Sequence, residues 1–173
     1  MRNILTYLVV SFTLLFFVAC HGGSTSGQNQ QQAASTTATL AINLTGTLPS
    51  NTAIAGVDFT LTLPANVTPA ITNNTVDNGV VTLAGAFAGG AQMPSFYTAA
   101  TGSAPGTLRV TMVNAAPTGV TQVGEVATIT LQLANGASPT LASFGVSSVS
   151  VVDAARYSVI SGMGASLANL TLQ

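Results

Sequence analysis

The sequence predicts an all-β domain built as a two-layer antiparallel sandwich, and three observations predict it. Apolar and polar residues alternate with period two from about residue 40 onward, the signature of half-buried strands. Turn-forming residues separate the alternating runs. No segment beyond the N-terminal stretch repeats with the spacing of an amphipathic helix. Several strands with one apolar face each hide that face best by stacking two sheets.

The runs come in order. Leu40, Ile42 and Leu44 alternate with Ala41, Asn43 and Thr45. Val57, Phe59, Leu61 and Leu63 alternate with Asp58, Thr60 and Thr62. Residues 76–87, with Val80, Val81, Leu83 and Phe87, read as a further strand. Leu108, Val110 and Met112 alternate with Arg109 and Thr111, and Ala127, Ile129, Leu131 and Leu133 with Thr128, Thr130 and Gln132. Alternation is weaker over 144–152 and 168–172, and residues 154–168 read as a loop and a short strand. Pro49-Ser50-Asn51, Pro64-Ala65-Asn66, Gly89-Gly90, Pro105-Gly106, Pro117-Thr118-Gly119 and Asn135-Gly136 supply the turns between them. The expected core is Leu44, Val57, Phe59, Leu61, Leu108, Val110, Ile129, Leu131 and Leu170.

The N-terminal stretch is different. Arg2 precedes an apolar run from Ile4 to Val18. Such a run is shorter than the ~20 residues a transmembrane helix needs and suits the core of an export signal. It ends in Phe17-Val18-Ala19-Cys20, which resembles the lipobox of bacterial lipoproteins. That resemblance implies cleavage after residue 19 and lipid on Cys20, although Phe17 stands where the family prefers leucine. Cys20 is the sole cysteine, so no intrachain disulfide forms. Two or more acyl chains hold a protein firmly, since each buried methylene contributes ~0.8 kcal/mol. His21 stands where inner-membrane lipoproteins often carry Asp, which implies the outer membrane. Residues 20–39 are dominated by Gly, Ser, Gln and Thr and read as a tether, with a mean reach of about 25 Å. Residues 40–173 are then the folded domain.

Composition excludes several classes of function. Only 4% of residues are charged. Beyond Arg2 the cations are Arg109 and Arg156, lysine is absent, and the acids are Asp58, Asp77, Glu125 and Asp153. No basic patch arises, so nucleic acid is not an expected partner. The sole histidine is His21, in the tether, which leaves the domain without a histidine base for nucleophilic catalysis and without a zinc ligand set. Four scattered acids form no recognisable glycosidase pair. A calcium loop would have Asp77 and Asn78 to draw on, but no run of oxygen ligands follows. The domain therefore reads as non-catalytic, with no cofactor. The chain lacks Trp, which argues against a flat aromatic strip for crystalline polysaccharide. Phe96-Tyr97, in a Gly- and Ala-rich loop, is an exposed aromatic pair with a protein or a glycan as its ligand, or else a small satellite core.

Four segments in order carry a family resemblance: Ala53–Leu63 (AIAGVDFTLTL), Gly106–Val113 (GTLRVTMV), Gly124–Leu131 (GEVATITL) and Val146–Ala154 (VSSVSVVDA). Together they resemble strands of cohesin domains. The resemblance implies a nine-stranded jelly roll, shared with two families of carbohydrate-binding modules. Here that means about eight to nine strands, because the stretch before Leu40 departs from the family's first strand. It also implies a dockerin, a small calcium-binding helical module, as partner. By the same resemblance Asp58 lies on a strand that contributes polar contacts to the docking face, with Thr60 and Thr62 beside it. The loop after this strand, Leu63-Pro64-Ala65, departs from the family. Three functions follow as expectations: protein docking on one sheet face, glycan binding on the same fold, and assembly into a surface structure favoured by the low charge. Cys20→Ser is expected to abolish lipid attachment, read as loss of the acyl mass increment on the N-terminal peptide; an unchanged peptide mass in the native chain would refute the anchor.

Overall fold

The computed structural model describes residues 34–114, 116 and 118–173. The expected signal, Cys20 and the tether up to residue 33 lie outside the described residues. Ala34–Gln173 form one compact unit. In chain order the strands are β1 (Thr37–Thr45), β2 (Ile54–Leu63), β3 (Val67–Thr68), β4 (Ile71–Thr72), β5 (Thr75–Val76), β6 (Val81–Leu83), β7 (Ala91–Gln92), β8 (Phe96–Thr98), β9 (Gly106–Val113), β10 (Gly124–Leu133), β11 (Gly145–Asp153) and β12 (Gly164–Leu172). Two single turns of 3-10 helix lie at Gly85–Phe87 and Leu141–Ser143.

Two five-stranded antiparallel sheets face each other. The first runs β12-β1-β10, with β3 and β6 both pairing β10. The second runs β11-β2-β9, with β7 and β8 both pairing β9. The chain crosses repeatedly between them in a jelly-roll winding, and β4 and β5 form a small hairpin apart. This is the all-β sandwich that the alternation predicts.

The inward set of each strand meets its counterparts in one dry layer. Leu40, Ile42 and Leu44 of β1, Phe59 and Leu61 of β2, Leu108, Val110 and Met112 of β9, and Ile129 and Leu131 of β10 are all buried. Full burial of one such side chain contributes ~1.5–3 kcal/mol, so these residues dominate the stability of a fold without a disulfide among its described residues.

Several boundaries differ from the sequence reading. The folded unit starts before residue 40. Ala38 is buried, and the Thr36 and Thr37 N–H groups both donate to the Gln173 carbonyl, at 2.6 and 2.9 Å. Closing the sheet around the C-terminus thus recruits residues whose composition alone resembles the tether. The expected strand over 76–87 is broken. Val76 ends the β4–β5 hairpin, the chain turns at Asp77–Val80, pairs with β10 over β6, and then makes the 3-10 turn that drops Phe87 into the core. Gly85, at φ +48°, permits that turn, because a side chain there would run into the Glu125 carbonyl. The last strand is longer than expected, starting at Gly164, and Leu170 on this edge is half-buried rather than central. Twelve strands are counted among the described residues, against an expected eight to nine, because short edge segments pair beside the long ones.

Phe59→Ala removes a ring that is 0% exposed. It is expected to destabilise the domain by about 3–5 kcal/mol, measured as a lowered midpoint in urea at unchanged slope; a loss below about 1 kcal/mol would show that the sheets do not close on this ring.

Candidate binding face

The outer face of the β11-β2-β9 sheet gathers most of the chemistry of the domain. Antiparallel partners project their side chains to the same side, so the pairing register lays out this face in rows. One row reads Gly145, Thr62, Thr107 and Thr98. The next reads Ser147, Thr60, Arg109 and Phe96. The third is Ser150, Asp58 and Thr111. The fourth is Val159, Val152, Gly56, Val113 and Ala91, and it contains no polar side chain.

A bulge in β11 makes these rows coherent. Ser148 adopts φ +52°, and the pairing steps from Ser147 opposite Thr60 to Ser150 opposite Asp58. The extra residue switches the alternation of the strand. Val146, Val149 and Val151 therefore pack toward the core while Ser147, Ser150 and Val152 face outward. The same bulge weakened the alternation visible in the sequence.

An ion pair stands at the centre of the face. Arg109 Nε donates to both Asp58 oxygens, at 3.2 Å to Oδ1 and 3.1 Å to Oδ2. The Thr111 hydroxyl donates to Asp58 Oδ2 as well. The arginine side chain is 61% exposed and the aspartate 21%. A pair this open contributes at most about 1 kcal/mol to stability. Its structural effect is to tie the Arg109 side chain of β9 to Asp58 on β2.

The sequence-derived candidates fall into two groups. Asp58, Thr60, Thr62 and Phe96 share this face. Phe96 lies in a strand rather than a loop, directly opposite Arg109, and is 69% exposed. It does not tuck under as a satellite core. Tyr97 belongs to the other side: it pairs with Leu108 and packs against the core. Strand alternation separates two neighbours that look like one aromatic pair in the sequence. Behind Phe96, a groove of about 550 Å³ runs between β8 and the β4–β5 hairpin, lined by Ile71, Val76, Pro94 and Tyr97 among others.

Sequence reasoning missed Tyr157 and the depression beside it. The depression encloses about 350 Å³ and is lined by Gly56, Asp58, Thr111, Val113, Val152 and Tyr157 among others. Gly56 lines it, and a Cβ there would crowd the Met112 carbonyl at 3.1 Å. Tyr157 stands at the rim, 81% exposed and at φ +53°. Asp153 builds the turn that carries it. Asp153 Oδ1 accepts the Ala155 N–H at 2.7 Å and the Arg156 N–H at 3.2 Å, Oδ2 accepts Arg156 Nη1 at 2.8 Å, and the Asp153 carbonyl accepts the Tyr157 N–H at 2.9 Å. In sequence Asp153 reads only as the end of a strand; its spacing to Ala155 and Arg156 is the signal of an Asx turn.

Elsewhere the acids stand apart. Glu125 pairs with Asn43 in the opposite sheet, and Asp77 lies in the turn before β6. Among the described residues no three of His, Cys, Asp and Glu converge. Comparisons of the chain with protein-family models, with curated proteins and with solved structures find no match.

The Asp153 carboxyl titrates below the ordinary carboxylate range. The Ala155 N–H is the chief cause, burial opposes it, and the Arg156 side chain and N–H add to the lowering. A carboxyl with a lowered folded-state pKa contributes stability above its unfolded value of ~3.9. That contribution disappears as pH falls through the folded value. Asp153→Asn is therefore expected to lower the urea midpoint at neutral pH and to lessen its decline as pH falls below about 4; parallel acid limbs in the two proteins would refute the role of this turn.

Proposed function

We propose that the chain is an exported lipoprotein, anchored through Cys20 to the outer membrane, whose sandwich docks another protein on the outer face of the β11-β2-β9 sheet. The observation that supports this most is the arrangement of that face. A held ion pair lies between an apolar row with a central depression and an exposed ring, Phe96. Interfaces that bind tightly combine such features: an apolar recess, an aromatic or arginine anchor and a polar surround. The ordered likeness of β2, β9, β10 and β11 to cohesin strands supports the same reading and makes a dockerin-like module the first partner to seek. The face is non-catalytic in this reading, because its one carboxylate is occupied by Arg109 and Thr111.

A second reading has one observation in its favour. Phe96 and Tyr157 are exposed at opposite edges of this sheet, 69% and 81%, and exposed rings stack on sugars. Affinity electrophoresis on soluble glycans, with Phe96→Ala and Tyr157→Ala variants, addresses it. Retardation that both variants lose would favour a glycan ligand, and unretarded migration on every glycan would favour the protein.

The protein-docking reading is tested by capture from the exported proteins of the same organism. The native chain is expected to retain a specific partner, and Phe96→Ala combined with Asp58→Ala, which removes the ring and the group that holds Arg109, to weaken it by roughly 100-fold. No specific partner, or one retained equally by the variant, would refute it.

A further inference from the structure

The rows of this face also specify what a partner must present. This rests on the protein-docking reading above and goes one step further. The row Ala91, Val113, Gly56, Val152 and Val159 spans five chain segments in register, about 19 Å at the usual strand spacing. Its midpoint is the glycine, which lines the depression between Val113 and Val152. The lining is almost wholly apolar there, which selects an aliphatic group rather than a polar one.

The charge beside the recess has a definite sign. Arg109 and Arg156 are the only cations of residues 34–173. One stands on this face, and the other directly precedes the rim residue Tyr157. Each is held by an aspartate through part of its guanidinium. Arg109 uses Nε on Asp58, and its two Nη groups keep donors for a further acceptor. Both Asp58 oxygens are already engaged, by Arg109 and Thr111. An incoming cation would meet a neutralised carboxylate with a guanidinium beside it. An incoming carboxylate would meet an oriented fork of donors, the geometry that makes arginine–carboxylate pairs strong.

We infer that the docking segment of the partner presents a branched aliphatic side chain to the Gly56 recess and a carboxylate to Arg109. Arg109 stands opposite Thr60, about 13 Å from Gly56 along β2, and its Nε reaches back to Asp58, about 6.7 Å from Gly56. The two partner groups therefore belong to near neighbours on one segment.

Selection of a random 12-residue peptide library displayed on phage, against the purified full chain, tests this. Enrichment is expected for peptides carrying Asp or Glu close to Val, Ile or Leu. Arg109→Gln and Val152→Asp are each expected to weaken these peptides roughly tenfold or more, and added salt to weaken them further. Arg109→Glu is expected to redirect selection toward Lys and Arg. Circular dichroism and urea midpoints establish that each variant folds, and Arg109→Gln serves if Arg109→Glu does not. Enrichment of basic or uncharged peptides, equal binding to Arg109→Gln, or no enrichment would overturn the inference. A native partner that still depends on Phe96 and Asp58 alongside any of these results would leave the docking face standing and remove only this chemistry.

Discussion

The dry layer between the two sheets is the constraint on which everything else depends. It forces each long strand to divide its residues strictly into inward and outward sets. Phe59 and Leu61 go in, so Asp58, Thr60 and Thr62 must come out. On β9, Leu108 and Val110 go in, so Arg109 and Thr111 come out. The pairing of β2 with β9 then sets Asp58 opposite Thr111 and Thr60 opposite Arg109. A slip of one residue would expose Phe59 and bury the ion pair, and both changes are costly. The geometry of the candidate binding face is therefore a by-product of core packing, which is why a weak surface ion pair is so well placed.

The division also explains how a chain with few charges builds a distinctive surface. With 4% of residues charged, charge density distinguishes little. Arrangement does. The second sheet carries Asp58 and Arg109 as neighbours, and Asp153 and Arg156 together shape the turn at its end. The outward residues of the first sheet read Thr39, Thr130 and Thr171 in one row, with Ala41, Thr128 and Thr82 in another. That sheet has a carboxylate, Glu125, but no arginine among its strands. The two faces thus differ in kind, one dominated by threonine hydroxyls with Asn43, Asn169 and Glu125 among them, and one with a recess, a ring and a paired guanidinium.

Much of the fold was legible because period-two alternation reports burial directly. Leu40–Leu44, Val57–Leu63 and Leu108–Met112 were readable to the residue. What escaped was whatever interrupts the period. The bulge at Ser148 hid the true inward set of β11, and Gly85 broke an apparently continuous strand into β6 and a 3-10 turn. The start of β1 escaped for another reason. Thr36 and Thr37 are ordered by the carbonyl of Gln173, a contact across the whole length of the chain that no local pattern announces. The candidate site was legible residue by residue but not as a constellation. Asp58, Thr60, Thr62 and Phe96 were identifiable as outward or aromatic, whereas Arg109, Gly56 and Tyr157 acquire meaning only through register.

Gly56 shows how far such reasoning carries. In the sequence it is a glycine within a strand, a feature that weakens pairing unless something needs the space. Its backbone is not in the left-handed region, so conformation does not require it. Nor does the inner core, since the Cβ would rise on the outer side, toward the Met112 carbonyl and Val113. What its missing side chain provides is a recess, set between two valines and beside an oriented guanidinium. A Cβ there would sit 3.1 Å from the Met112 carbonyl, so the close approach of β9 itself favours the glycine over the threonines found at other outward positions of the strand. One missing side chain thus serves the pairing of β2 with β9 and leaves an apolar recess beside the Asp58–Arg109 pair.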